Sequence, residues 1–278
     1  MGDADMLEFE KYHGTGNDFV LIYIKDDKQH AYSALAVELC DRHFGVGADG
    51  LLILERSDQA DFKMRIFNQD GSEAPMCGNG IRCVAKYVMD KGLIEGDTCV
   101  VETMYQKIQV SAVRVDGKTL YRINMGSPIY DTSKMPVLFD KSEFQNESIE
   151  VDGQVYTLSA LNMGTIHAVT FVDEIDQIDI DLVGSTIEQY TYFPQGINVD
   201  FCKVIDPHTL KVTTWERGVG RTMSCGTGVS ASVAQGIREG KLKSPVKVLV
   251  TGGELLIEKR ASEYYMSGPA VHVFSGQY

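Results

Sequence analysis

The sequence predicts a mixed α/β protein made of two similarly folded halves. Three observations predict it: short strand-like runs alternate with a few helical ones, residues of matching type recur at a constant offset, and the pattern Cys-Gly-x-Gly occurs once in each half. A chain of 278 residues suits one large domain or two of about 130 to 150 residues, long enough to bury a core without disulfide or metal staples.

Phe19 to Ile24 reads as a strand. Ser33 to His43, with Leu35, Val37, Leu39 and Cys40 spaced between charges, reads as an amphipathic helix ending at Gly45. Leu51 to Leu54 and Phe62 to Phe67 follow as strands. Ile81 to Met89 sets Ile81, Val84, Ala85 and Val88 on one helical face, and Gly92 closes the helix. Thr98 to Thr103, Lys107 to Val113 and Leu120 to Asn124 alternate in the manner of antiparallel strands. The second half repeats this order. Lys63 and Lys211, Phe67 and Trp215, Cys77 and Cys225, Gly78 and Gly226, and Gly80 and Gly228 are all 148 residues apart, while Gly14 to Val20 aligns with Gly164 to Thr170 at an offset of 150.

Composition excludes several function classes. With 26 basic against 39 acidic residues the net charge is −13, and no Lys/Arg run exceeds two residues, which argues against a nucleic-acid backbone or an anionic membrane surface as partner. No apolar run approaches the 18 or so residues of a membrane span, and the acidic start Met1 to Met6 is unlike a signal peptide. Gly2 invites a myristoylation motif, but Met6 stands where Ser or Thr is required. A cytoplasmic protein is the expectation. The six cysteines form no CxxC pair and no zinc-like spacing with histidine, so reduced thiols and no metal are expected.

The chemistry lies at the two matched cysteines. Each opens a helix, where unpaired N–H groups and the helix dipole favour a thiolate and are expected to draw the thiol pKa down from about 8.5. Gly78 and Gly226, lacking side chains, let a carboxylate approach those donors. Two such helices facing one another across a domain cleft would share a carboxylate and offer one sulfur to each face of an α-carbon. That arrangement suits racemisation without a cofactor, in which one base removes the proton and a conjugate acid returns one from the other side. A lone Cys-Gly is ordinarily a packing residue; two copies in matched polar surroundings favour chemistry.

These segments resemble the diaminopimelate epimerase family. The resemblance is carried by Lys11 to Val20 (KYHGTGNDFV), Gly45 to Leu51 (GVGADGL), the first cysteine motif through Arg82-Cys83, Asn198-Val199, and Glu216-Arg217-Gly218 leading to Cys225-Gly226-Thr227-Gly228. It implies two pseudo-symmetric domains, each a β-barrel-like sheet wrapped around a central helix, with residues 1–124 plus 269–278 in one and 125–268 in the other. It also implies that Cys77 and Cys225 are the acid/base pair, with His167 and Glu216 beside them. Gly78, Asn79, Gly226 and Thr227 would hold the reacting end of diaminopimelate, and Asn17, Asn68, Asn198, Glu216 and Arg217 would read the substrate. The family further suggests a homodimer that needs no cofactor. Amides, a guanidinium and a carboxylate complement a substrate with two ammonium and two carboxylate groups.

Taken alone, Asn17 could be a turn residue, His167 a satisfied core histidine and Glu216-Arg217 a solvated ion pair, whereas Asn198 inside Ile-Asn-Val demands a polar partner. Arg82 and Arg221 read as structural. The chain departs from the family at Thr165 and Ile166, where many members have Asn-Pro, at Gly50, where some have Gln, and at Arg221, where many have Glu. Two other readings stay open: a two-cysteine racemase of the proline or hydroxyproline type, disfavoured by Asn79 where such members carry His, and a non-catalytic amino-acid-binding or redox-switch protein. The G-x-G-x-x-G of Gly45 to Gly50 follows a helix and opens a strand, the reverse of a dinucleotide-binding fingerprint.

Overall fold

The computed structural model describes residues 6–25 and 31–278; Gly2 and the rest of the stretch before Met6 lie outside them. The chain divides into two compact units, residues 1–123 with 267–278 and residues 124–266. In the first, β1 (Glu8–Gly14), β2 (Asn17–Tyr23), α1 (Tyr32–Cys40), β3 (Gly50–Glu55), β4 (Phe62–Asn68), β5 (Glu73–Ala74), α2 (Gly78–Asp90), β6 (Thr98–Glu102), β7 (Lys107–Val115) and β8 (Lys118–Gly126) follow in order. The second runs through β9 (Glu147–Val151), β10 (Gln154–Asn162), β11 (Ile166–Phe171), α3 (Ile180–Glu188), β12 (Asn198–Asp206), β13 (Thr209–Glu216), β14 (Gly220–Arg221), α4 (Gly226–Arg238), β15 (Val246–Val250), β16 (Gly253–Arg260) and β17 (Glu263–Gly268), and β18 (Val271–Gln277) returns to pair with β1.

Both units share one plan. β2 pairs in parallel with β3 and β4 with β6, so the connections must cross over through α1 and α2; β11 with β12 and β13 with β15 do the same through α3 and α4. Antiparallel hairpins such as β3–β4, β6–β7, β7–β8 and β12–β13 and the antiparallel pairing of β1 with β18 make the fold mixed α/β with much sheet and few helices. α2 and α4 are the central helices. Nine of the 13 residues of each are buried, the polar Asn79 and Arg82 of α2 and Gln235 of α4 among them. α1 and α3 instead cover outer faces, against the cores around Leu39 and Leu51 and around Ile187 and Phe201 respectively.

The strand ladders refine the internal repeat. Phe19 pairs with Gly50 and His167 with Asn198; Leu52 pairs with Ile66 and Asp200 with Thr214. Every counterpart is 148 residues on, so the offset of 150 read from Gly14 and Gly164 does not hold in the strands they lead into: Phe19 corresponds to His167 rather than Val169, and the preceding turn has two residues between the paired Gly14 and Asn17 but three between Asn162 and Ile166. Other bounds moved as well. α1 stops at Cys40 rather than His43, because the Asp41 carboxylate accepts the backbone N–H groups of His43 and Phe44 and fastens the chain into a turn. α2 begins three residues earlier than Ile81, at its Cys77 cap, and ends as expected at Gly92, whose positive φ of 62° lets its N–H and that of Leu93 reach the Met89 and Val88 carbonyls.

Gly45 to Gly50 is a helix terminator. The N–H groups of Gly45, Val46, Gly47 and Ala48 are donated to carbonyls at the end of α1, and a Cβ at Gly45 would lie 2.1 Å from the Glu38 carbonyl oxygen. Amides so engaged are not offered to a pyrophosphate, in keeping with the order of helix and strand.

All six cysteines are free thiols. Burial pushes Cys40 up to about 11 and Cys83 and Cys99 up to about 12. Above the unfolded-chain thiol value of about 8.5, the unfolded state therefore loses protons that the folded state keeps, and stability falls as pH rises from there toward 12. Thermal unfolding at pH 7 and pH 10 is expected to show the lower midpoint at pH 10.

Candidate active site

Cys77 and Cys225 occupy equivalent places, the N-cap positions of α2 and α4, both in extended backbone. Their surroundings differ. In the first unit the half-exposed Cys77 sulfur accepts the Gly80 N–H at 3.5 Å, capping the helix, and lies 3.6 Å from Asn17 Oδ1. Asn17 Oδ1 also accepts from Asn79 Nδ2 at 3.1 Å, while Asn17 Nδ2 donates to Asp49 Oδ2 at 2.9 Å. The orientation of this amide is thus set from behind: Arg42 forks onto Asp18 and Asp49, and the buried Lys11 donates to Asp18 at 2.6 Å and to the Gly47 carbonyl. Burial alone would raise the Asp18 carboxyl, but Arg42 and Lys11 outweigh it and hold it well below the usual range. Buried Arg82, on the next turn, donates to Asn79 Oδ1 at 2.9 Å, to Thr15 Oγ1 at 3.0 Å, and to the Gly78 and Pro269 carbonyls. Arg82 is therefore a brace for Asn79. Asn68 is exposed at the end of β4 and donates to Ser72 Oγ at 2.9 Å.

In the second unit Cys225 is buried, its sulfur 3.4 Å from Thr227 Oγ1. Thr227 Oγ1 lies 3.0 Å from His167 Nε2, and His167 Nδ1 lies 2.7 Å from Asp200 Oδ2; neither His167 nor Asp200 is exposed to solvent. Thr214 Oγ1 donates to the second Asp200 oxygen at 2.7 Å. Glu216, at the end of β13, accepts from Thr222 Oγ1 at 2.6 Å. Asn198 has the polar partners its place in a strand demanded: Nδ2 donates to the Ile166 carbonyl at 2.9 Å and to Thr165 Oγ1 at 3.2 Å, and Oδ1 accepts the Arg217 N–H at 2.9 Å. Its amide stitches the Thr165–His167 segment to the turn carrying Arg217. The Arg217 guanidinium is exposed and donates to the Gln195 carbonyl. Arg221 reaches Asp181 at the surface.

One expectation is reversed. The Thr227 hydroxyl and the Gly228 N–H do lower the Cys225 thiol, as a helix start should, but burial, followed by the charges of Glu216 and Asp200, raises it well above its ordinary value. Burial likewise raises Glu216, against the pull of Thr222, His167 and Cys225. At rest Cys225 is a thiol. The departures from the family pattern also find places. Exposed Thr165 turns its hydroxyl toward His167 Nε2 at 2.9 Å, and at Gly50 a Cβ would lie 2.9 Å from the Phe67 carbonyl. Asp200 and Thr214 were not singled out in the sequence. Their signal was available: a carboxylate and a hydroxyl stand 148 residues after Leu52 and Ile66, where an apolar core residue is the precedent.

Among the described residues no group of three or more His, Cys, Asp or Glu side chains is placed to hold a metal ion, and no helix is long and apolar enough to cross a membrane. Comparison with known proteins shows what the chain resembles. The family model for diaminopimelate epimerase matches residues 9–130 and 159–273. A diaminopimelate epimerase of Caldanaerobacter subterraneus is 45% identical over 273 residues, 98% of this chain and 99% of that one. Those of Pelotomaculum thermopropionicum and Methanococcus maripaludis are 43% and 38% identical, each over 98% of this chain and 99% of theirs. Among solved structures, a Bacillus anthracis protein of the phenazine biosynthesis PhzF family superposes with a TM-score of 0.72 at 14% identity, covering 99% of both chains. A hydroxyproline epimerase from Agrobacterium vitis superposes at 0.69 and 16% identity, over 100% of this chain and 93% of that one. These two establish a shared fold. With nearly full-length identity to curated relatives and the cysteine motifs intact in both units, the chain belongs to the diaminopimelate epimerase family.

Proposed function

We propose that the protein interconverts LL- and meso-2,6-diaminopimelate without a cofactor, using Cys77 and Cys225 as the two acid/base groups. The observation that carries this reading is the repetition of one device: a 13-residue, largely buried helix with a cysteine at its N-cap position, once in each unit, at the same offset. Inverting a stereocentre requires a base on one face of the α-carbon and an acid on the other, so the reaction requires the two sulfurs to reach opposite faces. With Cys225 held as a thiol, it is suited to deliver a proton, and Cys77 as thiolate to remove one; in the reverse direction the roles exchange. The first-turn N–H groups of α2 and α4, including those of Gly78, Asn79, Gly226 and Thr227, stabilise charge that develops on the reacting carboxylate. His167 and Glu216 adjust the protonation of Cys225, and Asn17 does so for Cys77. Asn68 and Arg217, exposed and polar, are suited to the distal ammonium and carboxylate, and Asn198 presents the Arg217 turn.

A cytoplasmic homodimer acting in lysine and peptidoglycan precursor synthesis is part of the same proposal, supported by family membership. The test is incubation of reduced protein with LL-diaminopimelate in the presence of a chelator, followed by chiral analysis. Accumulation of the meso isomer is expected. Inversion of proline or hydroxyproline instead would move the assignment to the other racemases of this fold.

A further inference from the structure

We infer that Asp200 is a positioning residue of the epimerase site: it fixes the tautomer of His167, so that a hydrogen-bonded path runs from the Cys225 sulfur through Thr227 to His167 Nε2. The inference rests on the function proposed above. Its starting point is a difference between two copies of one fold. At the counterparts of His167, Asp200 and Thr214 the first unit carries Phe19, Leu52 and Ile66, all buried and in the same ladder register. The glycines agree. A Cβ at Gly80 would lie 2.9 Å from Leu52 Cδ2, and one at Gly228 would lie 2.4 Å from Asp200 Oδ1, so the leucine and the carboxylate occupy the same niche beneath the first turn of the central helix.

The fold therefore packs this niche with hydrocarbon when only packing is required. Putting a carboxylate and an imidazole there costs desolvation that an apolar trio avoids. What the polar trio adds is direction. Asp200 has two oxygens; one accepts from Thr214 Oγ1 at 2.7 Å and the other faces His167 Nδ1 at 2.7 Å, so Nδ1 carries the proton and Nε2 is left as acceptor. Two hydroxyls reach Nε2: Thr227 at 3.0 Å and Thr165 at 2.9 Å. Asn198 Nδ2 donates to Thr165 Oγ1, and with the Thr165 hydroxyl donating to Thr227 Oγ1, 3.4 Å away, the Thr227 hydroxyl proton is directed to Nε2. The Cys225 S–H can then donate to Thr227 Oγ1 at 3.4 Å. When the thiol ionises, its proton passes to Thr227 Oγ1 as the Thr227 O–H proton passes to Nε2. One S–H and one O–H bond break, one O–H and one N–H bond form, and a thiolate and an imidazolium beside Asp200 result. The path gives Cys225 a route to thiolate within its own unit, as the reverse reaction requires.

The test combines a spectrum and a rate. In 15N spectra of histidine-labelled wild type, with His167 assigned by its loss in His167→Gln, Nδ1 is expected to carry a proton; a bare Nδ1 would overturn the inference without any substrate being needed. In Asp200→Asn the spectrum is expected to change, and kcat from the isomer that Cys225 deprotonates to fall by about 10²-fold, the lower range for a group that arranges proton transfer, with KM little changed. Asp200→Leu, which copies the packing at Leu52, is expected to fold and to show the same loss. Activity equal to wild type in either variant would overturn the inference. Thr227→Ser is expected to retain activity that Thr227→Val loses. Wild type that turns over no diaminopimelate would instead remove the proposed function, and the nitrogen spectrum would still decide whether Asp200 holds His167.

Discussion

Cys77→Ala and Cys225→Ala are each expected to lower conversion of LL- into meso-diaminopimelate by about 10²- to 10⁴-fold, the range of a positioned proton-transfer group. Cys99→Ala, a deletion of one buried sulfur in strand β6, is expected to leave the rate unchanged. The two active variants differ in what they keep. Cys77 caps α2 through the Gly80 N–H, so its removal also costs about 1 kcal/mol of helix stability. No side-chain cap is lost with Cys225, which stands in a polar cluster that stays satisfied without it: Glu216 keeps Thr222 and Thr227 keeps His167. Circular dichroism and thermal midpoints of both variants separate lost chemistry from lost fold.

Glu216→Gln is expected to act in two directions at once. The carboxylate is one of the charges that, after burial, raises the Cys225 thiol; removing it lowers the thiol pKa and increases the thiolate fraction at any pH below that value. Alkylation of Cys225 by iodoacetamide at pH 8, followed by peptide mass spectrometry, should therefore run faster in the variant than in wild type. Turnover should fall nonetheless, by about 10²-fold, because a thiolate of lower pKa is a weaker base toward the α-proton, less of the sulfur is protonated to deliver one, and the amide cannot exchange a proton with it. Faster alkylation with unchanged turnover would place Glu216 outside the chemistry. Slower alkylation would contradict the electrostatic account of Cys225.

The starts of α2 and α4 were legible in the sequence because their signal is local: a polar stretch, a cysteine, two glycines and an apolar periodicity of helical spacing within some 15 residues. The repeat was legible at the same places and misaligned at Gly14 and Gly164, where a hairpin differs by one residue and only the ladder partners Phe19 and His167 reveal the register. The end of α1 was misread because an aspartate hydrogen bond, not hydrophobic spacing, stops it. β1 went unread because its pattern is broken by Lys11, a buried lysine whose charge is met by Asp18 seven residues later. The direction of the Cys225 shift could not come from the helix start alone, since the opposing causes, burial and the carboxylates of Glu216 and Asp200, are brought there by β12 and β13. A dipole argument is local; desolvation is tertiary.

The central claim is that two thiols work on opposite faces of one carbon, and isotope exchange reads this most directly. Reduced wild type is given LL-diaminopimelate in D2O, and product and recovered substrate are separated after a few per cent of turnover and examined for deuterium at the α-carbon. The account predicts meso product that carries solvent deuterium at the inverted centre, recovered LL substrate that is nearly unlabelled, and loss of this labelled product in both Cys77→Ala and Cys225→Ala. Meso product that retains the substrate's own proton, or inversion that survives in either variant, would contradict it.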